Sequence, residues 1–386
     1  MTTYADATRI LSELIDSPRT DAGQDRLLEE AHQLVLEAQE AALHTPPHRP
    51  PPDEDDDEEP PRELPPRVVI PKDTWGDGRQ VNWDGKTPKF TLHDAVMLGG
   101  YRSCLIGLMG TVHRTEMDIR NVAFRSTEPN GPPSWSGTGA LWAERSYGIV
   151  GGVTQDVEVV DFFGKGMSRD LTAEGHGFYR TLSPVKGSVL LYKRCMFRNI
   201  GGHAIYHTSS AQPGREGNAP KPEDGGLVRI EDVMIEDSDI SVKRGAYAIS
   251  LTDAYARHEL RGVTVHHDGS YARQNTHEPD YYRSRGLLLA EGLMPGGLLV
   301  EDSHFHGAQP ADRSAQVFIE GPETVVLKGS NFDCNQVSVN DPWGDKPGTL
   351  KTKKLVLSEC VGTAVLRWNG KELGRVSDVR SGEWTL

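Results

Sequence analysis

Over the C-terminal three quarters of the chain the apolar positions follow a broken rhythm. With Tyr192 as position zero, apolar or small residues stand at zero, at plus three (Cys195) and at plus five (Phe197). The triple recurs as Ile119/Val122/Phe124, Val157/Val160/Phe162, Ile230/Val233/Ile235, Leu260/Val263/Val265, Val300/Ser303/Phe305, Leu327/Ser330/Phe332 and Leu357/Cys360/Gly362, eight copies in all. Residues two apart on a strand share a face, so plus three and plus five point together, whereas the step from zero to plus three breaks the period and requires a bend. Position minus two extends the first arm, being Met117, Leu190, Val228, Leu298, Val325 and Leu355 in six copies. At plus two, where the bend falls, stand Asn121, Asp232, Gly262, Asp302 and Gly329, residue types that tolerate a left-handed backbone. The pattern predicts two short strands meeting at a corner.

Copies begin 27 to 40 residues apart, the period of repeat architectures. A weaker repeat follows each corner, a small residue leading an apolar strand: Ala140-Leu-Trp, Ala204-Ile-Tyr, Ala246-Tyr-Ala-Ile, Gly286-Leu-Leu-Leu, Val317-Phe-Ile and Ala364-Val-Leu. Three short strands per repeat with sharp corners resemble the right-handed parallel β-helix, the pectate-lyase-like architecture of polysaccharide lyases, pectinases and phage tailspikes. The resemblance covers about residues 90 to 370 and speaks to fold far more than to function. A β-sandwich or propeller also alternates strands with turns, but has no reason to repeat one broken triple. The expected fold class is therefore all-β, a right-handed parallel β-helix solenoid preceded by a short α-helical segment and a disordered acidic proline-rich linker.

That expectation divides the chain into an N-terminal helical anchor or oligomerisation segment (1–44), a linker (45–66), an entry and cap region (67–98), the β-helix (99–370) and a C-terminal cap (371–386). Helices are predicted over 3–16 and 20–43, the second carrying Leu27, Ala31, Leu34, Ala38 and Ala41 at spacings of four and three. Such a face suits self-association or a hairpin folded on itself. Thr45 to Pro66 holds nine prolines and the acidic run Asp53 to Glu59, a composition that buries no core. Trp368-Asn-Gly-Lys reads as a tight hairpin turn near the end.

Charge and cysteine usage narrow the partners. The net charge is −14, and seven of those units lie in Asp53 to Glu59, so nucleic acid is not an expected partner. No apolar run reaches the 18 residues of a membrane span, and Met-Thr-Thr-Tyr-Ala-Asp lacks the features of a signal peptide. Synthesis in a cytoplasm is expected. Cys104, Cys195, Cys334 and Cys360 have no metal-ligand spacing and read as reduced thiols, two of them in the core at plus three.

Equal offsets from aligned triples place side chains on successive repeats, about 4.8 Å apart. Plus six then forms the column Arg125, Phe163, Arg198, Glu236, His266, His306 and Asp333, and plus four the column Ala123, Asp161, Met196, Met234, Thr264, His304 and Asn331. Arg198, Glu236, His266 and His306 supply a cation, an acid and two imidazoles, the candidate ligand-binding face for an acidic or neutral glycan. Tyr271, Tyr281 and Tyr282, in an inserted loop over 266–285, are the candidate aromatic border. Hydrolysis of glycosides needs paired carboxylates, and the column offers one at its centre. Glu236 next to His266 and His306 is expected to favour their protonated forms. His304, His306 and His266 have the ring nitrogens for zinc, but without a visible second shell no metal is assigned. No phosphate loop, dinucleotide fingerprint or nucleophile elbow is present, and no cofactor is assigned.

A helical anchor, an acidic spacer and a β-helix body together resemble the plan of a phage spike or fibre. This plan implies a virion structural protein at the virion surface, a homotrimer docked on a capsid or tail protein through residues 1–44, with a host-surface glycan as candidate ligand. A polysaccharide lyase or glycoside hydrolase of the same fold is the alternative, and a cytoplasmic scaffold the third reading.

Overall fold

The computed structural model describes residues 64–70, 81–82, 89–99, 106–109, 115–126, 138–144, 149–162, 175–182, 187–200, 202–209, 226–236, 247–252, 256–267, 286–292, 294–307, 317–340 and 351–386. All of them belong to one compact unit, Leu64–Leu386. The expected helices, nearly all of the linker, the border loop with Tyr271, Tyr281 and Tyr282, and Cys104 lie outside the described residues. Within them the protein is almost wholly β, with 27 strands and a single four-residue helix, α1 (Val376–Val379).

The strands join three parallel ladders, each repeat giving one strand or one arm to each. Near the N-terminus the two arms of the triple form one long strand, as in β3 (Lys89–Gly99), β5 (Thr115–Ser126) and β7 (Ile149–Phe162). From there on the corner separates them. The first arms are β9 (Val189–Lys193), β12 (Leu227–Glu231), β15 (Arg257–Arg261), β18 (Leu298–Glu301), β21 (Thr324–Lys328) and β24 (Lys354–Ser358). The second arms are β10 (Met196–Ile200), β13 (Met234–Glu236), β16 (Thr264–His267), β19 (His304–Gly307) and β22 (Asn331–Asp333). The third ladder runs through β2 (Val81–Asn82), β4 (Ile106–Met109), β6 (Thr138–Glu144), β8 (Gly175–Leu182), β11 (Ile205–Ser209), β14 (Tyr247–Thr252), β17 (Gly286–Glu291), β20 (Val317–Glu320), β23 (Gln336–Val339) and β25 (Val365–Trp368). The starts of six of these match the weaker sequence repeat.

The corner works as its residue types require. Asp94, Asn121, Asp156, Arg194, Asp232, Gly262, Asp302, Gly329 and Glu359 all occupy plus two with φ between 49° and 60°. Hydrogen bonding continues through the bend: the plus-two N–H of Arg194, Asp232, Gly262, Asp302 and Gly329 donates to the plus-one carbonyl of the following repeat at 2.9–3.1 Å. Aspartate and glycine alternate for a steric reason. A Cβ on Gly262 would stand 2.8 Å from Asp232 Oδ1, and one on Gly329 would stand 2.3 Å from Asp302 Oδ1. Where plus three is serine or cysteine, its side chain donates to the plus-one carbonyl, as Ser303 does to Glu301 at 2.8 Å and Ser330 to Lys328 at 2.9 Å.

Pairing corrects the second triple. Phe124 and Phe197 both align with Val159, and Ile119 and Tyr192 both align with Thr154, so this repeat presents Thr154/Val157/Val159 rather than Val157/Val160/Phe162. The frame is three residues earlier than expected, and it brings Asp156 to the corner. The pattern also begins one repeat earlier, since β3 aligns Leu92, Ala95 and Met97 with Ile119, Val122 and Phe124 in the stretch assigned to entry and cap. Ahead of it β1 (Val68–Ile70) pairs with β3.

The core runs between the ladders. Phe124, Phe197, Phe305 and Phe332 are wholly buried, and the last two stack at 5.5 Å with planes 4° apart. Between Phe124 and Phe197 the column holds the smaller Val159, and the space is taken by Phe178 of β8, edge-on to Phe124 at 5.7 Å and to Phe197 at 5.4 Å. Gly177 makes the approach possible, because a Cβ there would stand 2.9 Å from the Phe197 ring. Cys195, Cys334 and Cys360 are buried, and burial pushes the Cys334 thiol up to about 12.

At the C-terminal end the pairing changes sense. β26 (Lys371–Arg375) folds back antiparallel on β25, and β27 (Gly382–Thr385) pairs antiparallel with β24. The hairpin turn at Asn369 and Gly370 has φ of 51° and 75°, as a two-residue loop of this kind requires. These strands cover edges that parallel pairing would leave open.

Candidate functional site

The four polar residues expected to form a face do so, and for the reason of register. Arg198 aligns with Glu236, Glu236 with His266, His266 with His306 and His306 with Asp333, on β10, β13, β16, β19 and β22. Each strand here alternates an inward apolar residue, Phe197, Ile235, Val265, Phe305 or Phe332, with outward neighbours at plus four and plus six. The corrected frame of β7 places Glu158 and Val160 in these columns instead of Asp161 and Phe163. Glu158 is an ion-pair centre, taking Arg67 at 2.7 Å and Arg125 at 3.5 Å.

Neighbouring groups on the face engage one another. Arg198 Nε donates to Glu236 Oε2 at 2.6 Å, with both side chains about a third exposed. His266 and His306 stack with ring centroids 4.6 Å apart and planes 8° apart, while His304 stands edge-on to His306 at 6.2 Å and 83°. Asn331 Nδ2 donates to Asp333 Oδ2 at 3.0 Å, and that oxygen lies 3.6 Å from His304 Nε2. Glu236 is thus held by Arg198, and the expectation that it would favour protonated imidazoles is reversed at His306. Burial and the nearby His266 and His304 hold the His306 ring below its ordinary value, against a smaller opposing pull from Asp333.

The other side of the corner carries alternating charge at plus one. Lys193, Glu231, Arg261, Glu301 and Lys328 are aligned on successive strands. Lys193 reaches Glu231 at 2.6 Å, Lys328 reaches Glu301 at 2.6 Å, and Arg261 pairs with Glu301 as well. Glu259 collects Arg229, Arg257 and Arg261; burial pushes its carboxyl up, and the three guanidinium groups together pull it below the usual range. Asp118 near the N-terminal end is similar. Burial raises it, but hydrogen bonds from Arg120, Lys89 and His93 prevail and hold it at about 2.

Sequence reasoning missed a polar group inside the core. Tyr192 Oη lies 2.7 Å from His207 Nε2, and the His207 ring faces that of His258 at 6.4 Å. All three are wholly buried. The signal was His258 at minus two, where six other copies are apolar, whereas no repeated offset marks His207.

No family model, curated protein or solved structure matches the chain. Among the described residues no helix is long and apolar enough to cross a membrane.

Proposed function

We propose that the three ladders wind as a right-handed parallel β-helix and that the protein is a display protein of a virion, a spike or fibre resembling those of phages. In this reading residues 1–44 dock a homotrimer on a capsid or tail protein, residues 45–66 act as spacer, and the body projects from the virion surface. The observation that carries the reading is the unbroken parallel register, which holds Arg198, Glu236, His266 and His306 on consecutive strands without any loop having to order. A face of fixed spacing and mixed charge suits contact with a host-surface glycan. The carboxylates favour binding over the glycoside hydrolase of the alternative reading, a polysaccharide lyase or glycoside hydrolase. Glu236 is held by Arg198 and Asp333 by Asn331, whereas glycoside hydrolysis uses two carboxyl groups placed across the scissile bond.

Two measurements test this. Mass spectrometry of purified particles from a producing culture should find the protein in the particle, and its absence there would refute the virion role. On a glycan array, the combined variant Glu236→Ala, His266→Ala and His306→Ala should fold as the parent does and lose the parent's signal. Unchanged binding would remove this face from the reading, and release of reducing ends from a bound glycan would favour the enzyme.

A further inference from the structure

Among the described residues, one group of three histidine or acidic side chains brings ligand atoms within 4.8 Å of one another: His304, His306 and Asp333, all partly exposed. We propose that these three bind a late first-row divalent metal ion, Zn2+ being the representative, with the remaining coordination positions open to solvent.

The site follows from two periodicities. His304 and His306 alternate with the buried Phe305 on β19, so both imidazoles leave the same face, and parallel pairing sets Asn331 beside His304 and Asp333 beside His306. Metal bonds of about 2.0–2.2 Å at the tetrahedral angle separate ligand atoms by about 3.3–3.6 Å. His304 Nε2 and Asp333 Oδ2 already stand 3.6 Å apart. The widest pair, at up to 4.8 Å, closes by about 1.2–1.5 Å through rotation of side chains.

Ring orientation decides which histidines take part. An imidazole binds a metal in its own plane, along the lone pair of the ligating nitrogen. The rings of His304 and His306 are 83° apart, so their lone pairs can meet at one point beside Asp333. His266 and His306 are parallel to within 8°, and two stacked rings direct their lone pairs side by side rather than toward a common ion. The ligand set is therefore His304, His306 and Asp333, and the earlier grouping of His266 with the other two histidines is not the one the geometry favours. His266 supports the His306 ring from the preceding strand. Asn331 lies beside both ligand atoms, its Nδ2 3.0 Å from Asp333 Oδ2 and 3.4 Å from His304 Nε2; an ion on His304 Nε2 displaces the second contact, and the amide then holds the Asp333 carboxylate as the second shell that the sequence did not reveal. Two imidazoles and one carboxylate suit zinc, nickel, cobalt or copper better than calcium or magnesium, which favour oxygen ligands.

The test uses the full chain, stripped with a chelator and exchanged into chelator-free buffer. Zn2+ is titrated by calorimetry, and Co2+ by visible absorption to read the ligand field. The expected result is one equivalent of metal per chain that disappears in the His304→Ala, His306→Ala double variant, whose retained fold is checked by circular dichroism. Asp333→Asn should weaken this equivalent, Asn331→Ala should weaken it by about 10–100-fold as loss of a second-shell partner does, and His266→Ala should leave it in place. The chain has 14 histidines, so binding alone decides nothing and the variants carry the result. Absence of a stoichiometric equivalent in the parent, or an equivalent that survives the double variant, overturns the site. Loss of the equivalent in His266→Ala overturns the ligand assignment.

Discussion

Phe178 is the side chain whose removal should cost the body most for one substitution. It is wholly buried and fills the space beside Val159, with Phe124 and Phe197 edge-on to it at 5.7 and 5.4 Å and Tyr192 tilted at 6.3 Å. Truncating a buried phenylalanine costs about 3–5 kcal/mol, because strand pairing on both sides keeps the cavity from collapsing. Each aromatic pair contributes a further 0.5–1.5 kcal/mol or so beyond burial, which puts Phe178→Ala at the upper end, about 4–5 kcal/mol. Phe178→Leu retains most of the volume and loses the ring contacts, so its expected cost is about 1–3 kcal/mol. Urea denaturation followed by far-ultraviolet circular dichroism reads both as shifts in midpoint at unchanged slope. A changed slope would report that the N-terminal repeats melt separately, as repeat arrays do when a local contact fails. A cost below about 1.5 kcal/mol for the alanine variant, or equal costs for alanine and leucine, would refute the packing argument.

At the corners, Gly329→Ala should destabilise by about 1–2 kcal/mol, from a left-handed φ of 55° and a Cβ 2.3 Å from Asp302 Oδ1; combining it with Asp302→Ala should cost less than the sum, and strict additivity would contradict the clash. Asp118, held at about 2 against an ordinary 3.8, contributes stability that is complete above the unfolded value and is lost as pH falls through the folded one. That contribution is on the order of 2 kcal/mol, and Asp118→Asn should flatten the acid limb of the stability profile between about pH 4 and pH 2. A profile identical to that of the parent would count against the pairing of Asp118 with Arg120 and Lys89. A double-mutant cycle on Arg198 and Glu236 should give a coupling of about 0.2–1 kcal/mol that shrinks with added salt, as expected for partly exposed groups, and a larger salt-independent value would contradict their exposure.

What the sequence determined was whatever depends on local geometry. The two-residue period, the break at the corner, the left-handed tolerance of Asn121, Asp232, Gly262, Asp302 and Gly329, and the Asn369-Gly370 turn all express backbone sterics that neighbours along the chain already impose. Equal offsets then made the order Arg198, Glu236, His266, His306 readable, because parallel pairing converts equal position in a repeat into adjacency. Frame was another matter. Val157, Val160 and Phe162 satisfy the triple as well as Thr154, Val157 and Val159 do, and only pairing with β5 and β9 selects the second set, with the polar Thr154 buried at position zero. Arg194 and Glu359 take the corner though their types do not announce it, since hydrogen bonds fix the bend, from the Arg194 N–H to the Glu231 carbonyl of the next repeat and from the Glu359 N–H to Ser381 Oγ. Which groups on the face engage each other was also left to the tertiary structure. Arg198 takes Glu236 away from the histidines, and the crossing of the His304 and His306 rings beside Asp333 depends on side-chain rotamers. A linear pattern determines which residues share a face and a row; it holds no information about torsions beyond Cβ, and those torsions decide the chemistry.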